Sequence, residues 1–576
     1  MLDGLVARTT FNVDYGQERR NFFNPSVVGG INNPPPITPT GSESQGERLN
    51  WLSESTLEYQ GQLGPGRLSA LGGFTAQVET DQALSFSGVF PNDNIRTLNV
   101  ASDIDGFTNE ENWSVVSTLG RVNYNLLERY VFTGTIRADG SSRFGDANRW
   151  GVFPSGAVAW NLHNEPFMEG LQDEIPELRA RVSYGVTGNN QIGNYAHLGV
   201  VDQADYLFGS TQAGGNALTS LANRQLGWER MNEVNFGIDS AFLGYRLSVS
   251  LDVYNRNTTQ LLLQRTLSTT SGFGSVTENA GTMRNRGLEV NINTLPVTTN
   301  EFTWGVDFNL SLNRNEITSL PGGNAIYSGS AEGQPTHITQ VGSPIGMQYG
   351  FIVDGIYRNQ ADVENYPIFD GIVPGNIRFR DVTGDGEISA GPDGDFAIIG
   401  NPHPDFTFGL TSSLSYRNFD VRLNFTGRVG GDIYRSEYWR TPRNIDGLFN
   451  VSADYVENFW RSEENPGDGW TPTPLGGGEA RRLYRGQHSL TNYDGSNLWL
   501  RNAMLRYNIP TGFMGTRSAN IYFSAQNLFI ITGYPGNPDV ERNAGQGGDF
   551  GALIGGTDWL PYPTARSFTL GVELTF

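Results

Sequence analysis

The last ten residues of the chain alternate between apolar and polar side chains. This period of two is typical of a β-strand with one apolar face, because successive side chains of a strand point to opposite sides. A run of about ten alternating residues is longer than the usual soluble strand of about five or six, and a tilted strand needs about that length to cross a bilayer. We therefore predict a terminal membrane-crossing strand with the apolar face Phe568, Leu570, Val572, Leu574 and Phe576.

The same alternation recurs along the chain in about sixteen segments. In one of them Trp304, Val306 and Phe308 alternate with Gly305 and Asp307. This repetition predicts an all-β, antiparallel fold. The segments begin near Leu5, Leu52, Leu68, Asn112, Tyr130, Gly151, Leu178, Asn232, Leu247, Arg286, Trp304, Phe406, Phe419, Leu498, Ile521 and Arg566.

The connections between these segments alternate between short and long. The long connections run from Tyr254 to Arg286, from Asn313 to Phe406 and from Arg428 to Leu498. Outer-membrane barrels have this plan, with short periplasmic turns and long extracellular loops. We predict that residues 1–576 are part of a transmembrane β-barrel, with 315–403 as a long extracellular excursion and 431–496 as a long extracellular loop. The segment from Met347 to Val353 is expected to be β-structure within the excursion.

Composition agrees with this interpretation and excludes other classes. The formal net charge of −21 opposes binding to a phosphate backbone, so no nucleic-acid partner is expected. A mean hydropathy of −0.37 suits a barrel, in which only alternate residues face lipid. The competing fold is a soluble all-β repeat protein. Aromatic side chains near the expected strand ends favour the barrel, because such residues gather at membrane interfaces.

One loop resembles a calcium-binding pattern. Asp381, Thr383 and Asp385 occupy its first, third and fifth positions, with Glu387 close behind. The twelfth position, where a bidentate Glu belongs, is Pro392. A possible Ca2+ site is the hypothesis here, and the alternative is a turn rich in Asp and Gly that local hydrogen bonds stabilise. No other cofactor is expected.

Other polar and aromatic residues give weaker indications. No pair of carboxylates stands out as catalytic machinery, and the five histidines are too scattered for a zinc motif, so we expect no enzyme. Aromatic side chains in the expected outer loops either contact substrate or a lid protein, or pack inside the loops. These residues are Tyr438, Trp439, Trp470, Tyr484 and Trp559.

Six segments in order resemble the SusC/RagA family of TonB-linked outer-membrane transporters. They are Arg137–Phe144, Asn148–Ser155, Ser183–Tyr195, Gly400–Phe406, Asn497–Asn502 and Ser524–Phe529. The resemblance implies a plugged barrel of roughly twenty-two strands that imports oligosaccharides or peptides. It also implies three partners: a SusD-like lipoprotein, the TonB–ExbB–ExbD complex and the barrel assembly machinery, for which the strand that ends at Phe576 resembles the assembly signal.

The chain departs from the family plan at its N-terminal side. The plug, the TonB box and roughly six strands are expected to precede Leu5 in this family. We therefore expect this chain to be a C-terminal barrel portion, whose two unpaired strand edges would be costly in hydrocarbon. Either the ends close into a smaller barrel, or another polypeptide supplies the missing strands, or the gene model is truncated, which is the alternative that we favour. The alternative function is that of a surface receptor or adhesion protein without transport.

Overall fold

The computed structural model describes residues 4–29, 33–209, 211–267, 269–273, 275–331, 333–369, 371–436, 453–473, 486–510, 516–540, 553–559 and 562–576. Strands dominate these residues. They are β1 (Leu5–Asn24), β2 (Thr40–Leu63), β3 (Gly66–Val89), β4 (Ser102–Leu126), β5 (Tyr130–Ser141), β6 (Trp150–Asn161), β7 (Glu177–Asn189), β8 (Val201–Phe208), β9 (Thr211–Leu218), β10 (Glu229–Phe242), β11 (Leu247–Thr259), β12 (Leu262–Thr266), β13 (Ser275–Asn279), β14 (Thr282–Thr298), β15 (Phe302–Ser319), β16 (Ile326–Ser328), β17 (His337–Thr339), β18 (Met347–Phe351), β19 (Val353–Ile356), β20 (Ile377–Phe379), β21 (Phe396–Gly400), β22 (Pro404–Tyr416), β23 (Phe419–Gly430), β24 (Asp432–Arg435), β25 (Asn492–Asp494), β26 (Asn497–Ile509), β27 (Ser518–Thr532), β28 (Thr557–Asp558) and β29 (Ser567–Thr575).

Helices are short. The α-helices are α1 (Gln360–Asn365) and α2 (Ala453–Asn458), and single 3-10 turns occupy Leu98–Val100, Leu162–Asn164, Pro166–Leu171, Thr269–Ser271, Pro321–Gly323 and Ser489–Thr491. Within the described ranges, no helix has the length and apolar character needed to cross a membrane.

Sixteen strands hydrogen-bond in one sheet, in the order β1-β2-β3-β4-β5-β6-β7-β10-β11-β14-β15-β22-β23-β26-β27-β29. The predicted all-β, antiparallel class is confirmed, and each of the sixteen expected segments corresponds to one of these strands. Two starts lie well before the predicted residues: β2 begins at Thr40 and β4 at Ser102. Both additions are mostly polar, and they lack the run of alternating apolar residues that marked the rest of each strand.

Short and long connections lie at opposite ends of this sheet. Residues 64–65, 127–129, 243–246, 299–301 and 417–418 form the short connections, and residues 162–176 form a longer one with two 3-10 turns. The long connections leave the other end. Two of them are shorter than expected, because β11 and β14 extend into the segment from Tyr254 to Arg286, and β15 takes residues 315–319 from the excursion. Polar strand residues continue the backbone ladder there. β23 ends at Gly430 and β26 begins at Asn497.

The excursion between β15 and β22 contains β-structure of its own. β16, β17, β18 and β21 form a four-stranded sheet, and β19 pairs with β20. The β-structure predicted from Met347 to Val353 is therefore confirmed. These residues form hydrogen-bonded ladders with other strands of the same excursion. The buried side chains beneath these strands are Ile338, Tyr349, Phe351, Tyr357, Phe369, Ile372, Ile377, Phe379, Ile388 and Phe396.

The chain divides into two compact units. The first comprises Met1–Trp160, Val182–Val234 and Thr258–Ala280, and its apolar cluster contains Phe144, Phe153, Leu226 and Trp228. The second comprises Asn161–Arg181, Asn235–Asn257 and Gly281–Phe576. It contains the core of the excursion and a smaller cluster of Ile433, Tyr534 and Val540.

Candidate functional site

The main sheet presents an uncovered apolar face in both units. On β29, Phe568, Leu570 and Val572 are 62%, 75% and 62% exposed. Their cross-strand neighbours on β27 include Phe523, opposite Leu570, and Ile521, opposite Val572. A continuous apolar surface of this kind is unfavourable in contact with water. It is typical of a surface that contacts lipid or another protein.

In the first unit this apolar face ends partway along the long strands β1 to β4. Val13 lies opposite Trp51, and Tyr15 lies opposite Leu49. One step further on the same face, Gln17 lies opposite Glu47. Aromatic side chains thus border the apolar band, as at a membrane interface. Beyond them the four strands continue with mostly polar residues, among which Phe22, Phe86 and Phe107 are exposed apolar exceptions. We call residues 16–24, 40–48, 81–89 and 102–111 the strand extension.

The opposite face of the main sheet is polar and linked by ion pairs. In the second unit, the Arg181 guanidinium donates from Nε to Asp239 at 3.0 Å. It also donates from Nη1 and Nη2 to the two oxygens of Asp252 at 2.7 and 2.6 Å. Ser250 donates to Asp239 at 2.7 Å. A lipid-facing position would not accommodate such a cluster, so this face is built to meet water or polar ligand.

A second polar cluster lies in the first unit, just after the C-terminal ends of β5 and β7. Arg143 Nε donates to Asn194 Oδ1 at 2.9 Å, and its guanidinium lies 4.8 Å from the ring centre of Trp113. Trp113 Nε1 donates to Glu79 at 3.0 Å, and Asn194 donates to Glu111 at 2.9 Å. Two segments that carry the family resemblance, Arg137–Phe144 and Ser183–Tyr195, therefore meet at one junction, which anchors the following loop to the strands.

In the second unit, a buried polar hub joins three long connections. Gln348 is fully buried and its amide donates to the carbonyl oxygen of Asp432 at 2.9 Å. Its side-chain oxygen accepts from Asn492 at 2.7 Å, and the backbone of Tyr434 donates to the Gly556 carbonyl at 2.8 Å. Residues of 320–403, 431–496 and 533–566 are thereby fixed to one another, and we call their described residues the loop module.

His337 belongs to the same module. It is fully buried, and its Nε2 donates to the Gly555 carbonyl at 3.1 Å while Nδ1 accepts from the Thr336 hydroxyl at 2.9 Å. Burial lowers the pKa of His337 to about 4, because a charged imidazole would lose its hydration. The side chain is therefore neutral at physiological pH.

The predicted calcium loop is closed by hydrogen bonds. The Asp381 carboxylate accepts backbone N–H groups from Gly384 at 2.5 Å and from Gly386 at 2.9 Å. These bonds, that from Gly386 foremost, lower the pKa of Asp381. Asp385 accepts from the Glu387 backbone at 2.9 Å, and Thr383 donates to Asp381 at 3.2 Å. Such contacts are typical of an Asp-rich turn.

A buried carboxylate that the sequence analysis passed over completes this turn. Asp395 is fully buried and accepts from the backbone of Val382 at 2.8 Å and of Ser389 at 2.8 Å. No group of three or more His, Asp or Glu side chains suited to a metal occurs among the described residues. The calcium site stays a prediction, for which Asp381, Thr383, Asp385 and Glu387 are the candidate ligands.

The remaining predicted site residues are the outer-loop aromatic residues and the terminal strand. Trp470 and Trp559 are described and exposed, at 53% and 42%, which leaves their rings available for contact with a substrate or lid. Tyr438, Trp439 and Tyr484 lie outside the described residues. At the terminal strand, Phe568, Leu570, Val572, Leu574 and Phe576 share one exposed face.

Sequence reasoning missed the Arg181 cluster, the Arg143 junction and the Gln348 hub. A signal existed for the first, because Arg181, Asp239 and Asp252 occupy positions that alternate with apolar residues on three strands. The sequence contains no pattern that indicates the Gln348 hub, because Gln348 and Asn492 are 144 residues apart and local spacing does not relate them.

Comparisons with known proteins agree with this geometry. The family described as TonB dependent receptor-like, beta-barrel, matches residues 3–528. TonB-dependent receptor P3 of Formosa agariphila is 34% identical over 598 residues, which cover 100% of this chain and 57% of that protein. TonB-dependent receptor SusC of Bacteroides thetaiotaomicron is 31% identical over 486 residues, which cover 80% of this chain and 44% of that protein.

A solved structure shares the fold. The RagAB peptide transporter matches with a TM-score of 0.82 at 23% identity, over 100% of this chain and 60% of that one. This chain therefore spans somewhat more than half the length of the relatives that it matches along its whole length.

Proposed function

Because the chain belongs to the TonB-dependent receptor-like β-barrel family, in which SusC is a relative, we propose that it forms the wall of an outer-membrane importer of oligosaccharides or peptides. The importer takes its energy from the TonB–ExbB–ExbD complex through segments outside residues 1–576. A SusD-like lipoprotein covers it from outside the cell. The chain contributes a conduit and a surface for partner and substrate, and no catalysis.

The two faces of the sixteen-stranded sheet are the observation that carries this proposal. One face is apolar and uncovered, as the exposed Phe568, Leu570 and Val572 illustrate. The other carries ionised groups such as the Arg181 cluster. A barrel wall between lipid and a polar lumen requires this combination. A soluble sandwich would bury its apolar face instead.

The positions of the connections support an orientation. Short turns at one end and long, internally structured loops at the other suit a barrel whose long loops face outward. In this orientation the loop module and the strand extension lie outside the cell, where substrate and lipoprotein arrive. Trp470 and Trp559 are then the exposed aromatic candidates for contact.

Uptake by cells tests the proposal. Cells that carry the full-length gene should accumulate one class of fluorescent oligosaccharide or peptide, and deletion of the gene should abolish both this uptake and growth on that oligomer. Growth on the free monomers should persist. Depletion of TonB should abolish uptake while surface binding remains.

The alternative, a surface receptor or adhesion protein, predicts a different pattern. Binding would then survive TonB depletion without any accumulation in wild-type cells, and no nutrient would show a growth defect. That result would reject transport. A double variant, Trp470→Ala with Trp559→Ala, tests the aromatic contacts separately, with the buried core left intact; we expect weaker binding at an unchanged protein level.

A further inference from the structure

Every basic side chain of this protein except histidine is an arginine. The sequence contains 39 arginines and no lysine, against 60 acidic residues. Lysine is among the commonest residues in ordinary proteins, so its complete absence from 576 residues is a strong bias. The two residues carry the same charge and differ in how they form ion pairs. A lysine ammonium is a compact, strongly hydrated charge, whereas the guanidinium is weakly hydrated and offers a planar fork to a carboxylate.

Arginines in the described loops and turns use this fork in direct contacts. Arg380 Nη2 and Nε donate to the Asp354 carboxylate at 2.7 and 3.1 Å. Arg417 Nη2 contacts both oxygens of Glu301 at 3.0 Å. Such contacts hold by hydrogen bonding as well as by charge, so they lose less when salt screens the long-range attraction.

The acidic excess is concentrated outside the apolar band. The strand extension contains eight acidic residues and three arginines, and residues 320–403 contain ten acidic residues and three arginines. These segments carry net charges of 3 − 8 = −5 and 3 − 10 = −7, out of −21 for the chain. Self-repulsion of this size destabilises a compact fold at low ionic strength.

In the strand extension, the pairing of neighbouring strands brings carboxylates close to one another and increases their repulsion. Asp81 lies between Arg48, which donates to it at 2.9 Å, and Glu111, which lies directly opposite on the other side. One of its two cross-strand neighbours is therefore a like charge, and like charges at opposed positions destabilise a sheet. Glu47 and Glu110 both lie opposite Gln82, one on each side. Neutral amides donate to these two carboxylates: Gln45 to Glu47 at 3.0 Å, and Asn112 and Gln82 to Glu110 at 3.1 and 3.2 Å.

We propose that this protein is built for a medium of about molar salt and depends on it for stability. At about 1 M salt the screening length falls to about 3 Å from about 10 Å at about 0.1 M. Repulsion between neighbouring carboxylates is then suppressed, while contact pairs between arginine and carboxylate remain. The strand extension and the loop module are the parts that gain most from added salt.

Thermal unfolding of the full-length protein in a non-ionic detergent tests this dependence. We expect its melting temperature to rise between about 0.1 M and about 2 M KCl, beyond the range in which ordinary surface charges are already screened. A double variant, Glu47→Gln and Glu110→Gln, keeps one acceptor oxygen at each position and removes two charges that no arginine contacts directly in the strand extension. It should melt above the wild type in low salt and show a smaller rise with KCl.

A matched control removes two carboxylates that arginine contacts: Glu301→Gln and Asp354→Asn. It should melt below the wild type in low salt, because it loses attraction instead of repulsion. A melting temperature that stays level or falls as KCl is added would overturn the proposal. An amide variant of the strand extension with the wild-type salt dependence would overturn it equally.

Discussion

Replacement of Arg181 by methionine should destabilise the polar face of the main sheet. The side chain donates four hydrogen bonds, two to Asp239 and two to Asp252. Hydrogen bonds to charged groups contribute about 1.5–3 kcal/mol each, and loss of one partner from a buried pair costs about 3–5 kcal/mol. The side chain of Arg181 is 33% exposed, so solvent screening reduces the expected loss to about 2–3 kcal/mol.

Most of this loss should come from the two carboxylates left behind. The triple variant Arg181→Met, Asp239→Asn and Asp252→Asn should therefore recover most of the stability that Arg181→Met loses. Arg181→Lys should give an intermediate result, because a single ammonium cannot reproduce four directed contacts. Urea unfolding in detergent, followed by the loss of heat-modifiable migration on gels, measures all three. If the triple variant is as unstable as the single one, the electrostatic explanation is wrong and packing of the arginine stem accounts for the loss.

Three further predictions concern the loops and the terminal strand. The loop module should lose stability as the pH falls from about 6.5 toward about 4, because unfolded His337 takes up a proton over this range and the buried ring does not; His337 should account for about 3 kcal/mol of this loss, as measured by hydrogen exchange of β17, and His337→Gln should remove that part while the part due to His403, whose burial also lowers its pKa, remains. Calcium should raise the melting temperature of the full-length protein if Asp381, Thr383, Asp385 and Glu387 bind it, and Asp381→Asn should abolish that rise; no change up to millimolar calcium removes the metal hypothesis. Deletion of Phe576 from the complete protein should lower its level in the outer membrane, measured by quantitative blotting of membrane fractions, whereas an unchanged level contradicts its role as assembly signal.

Alternation of apolar residues was sufficient to predict the main sheet. In β5 and β11 the predicted starts at Tyr130 and Leu247 agree with the structure, because the alternation of apolar residues begins with the first residue of each strand. The starts of β2 and β4 were missed by about ten residues. Backbone pairing continues there beyond the apolar band, as between Gln82 and Glu110, and the mostly polar residues leave no apolar period to recognise.

The candidate site was less accessible to sequence reasoning. Spacing identified Asp381 and Asp385 as a loop of interest, yet it could not identify Asp395, whose burial follows from the turn that it completes. The Gln348 hub depends on contacts between connections far apart in sequence. Local pattern carries no information on such contacts, because the strands between the connections determine which loops meet.

Site-directed spin labelling of β23 in the full-length protein tests the central claim most directly. The chain has no cysteine, so single cysteines at positions 419–426 provide labelling sites along one strand of the main sheet. Accessibility to dissolved oxygen, which concentrates in lipid, should be high at the positions of Phe419, Val421 and Leu423. Accessibility to a water-soluble nickel chelate should be high at Asp420, Arg422 and Asn424. Uniform accessibility, or high nickel accessibility on both faces, would contradict a barrel wall between lipid and a polar lumen.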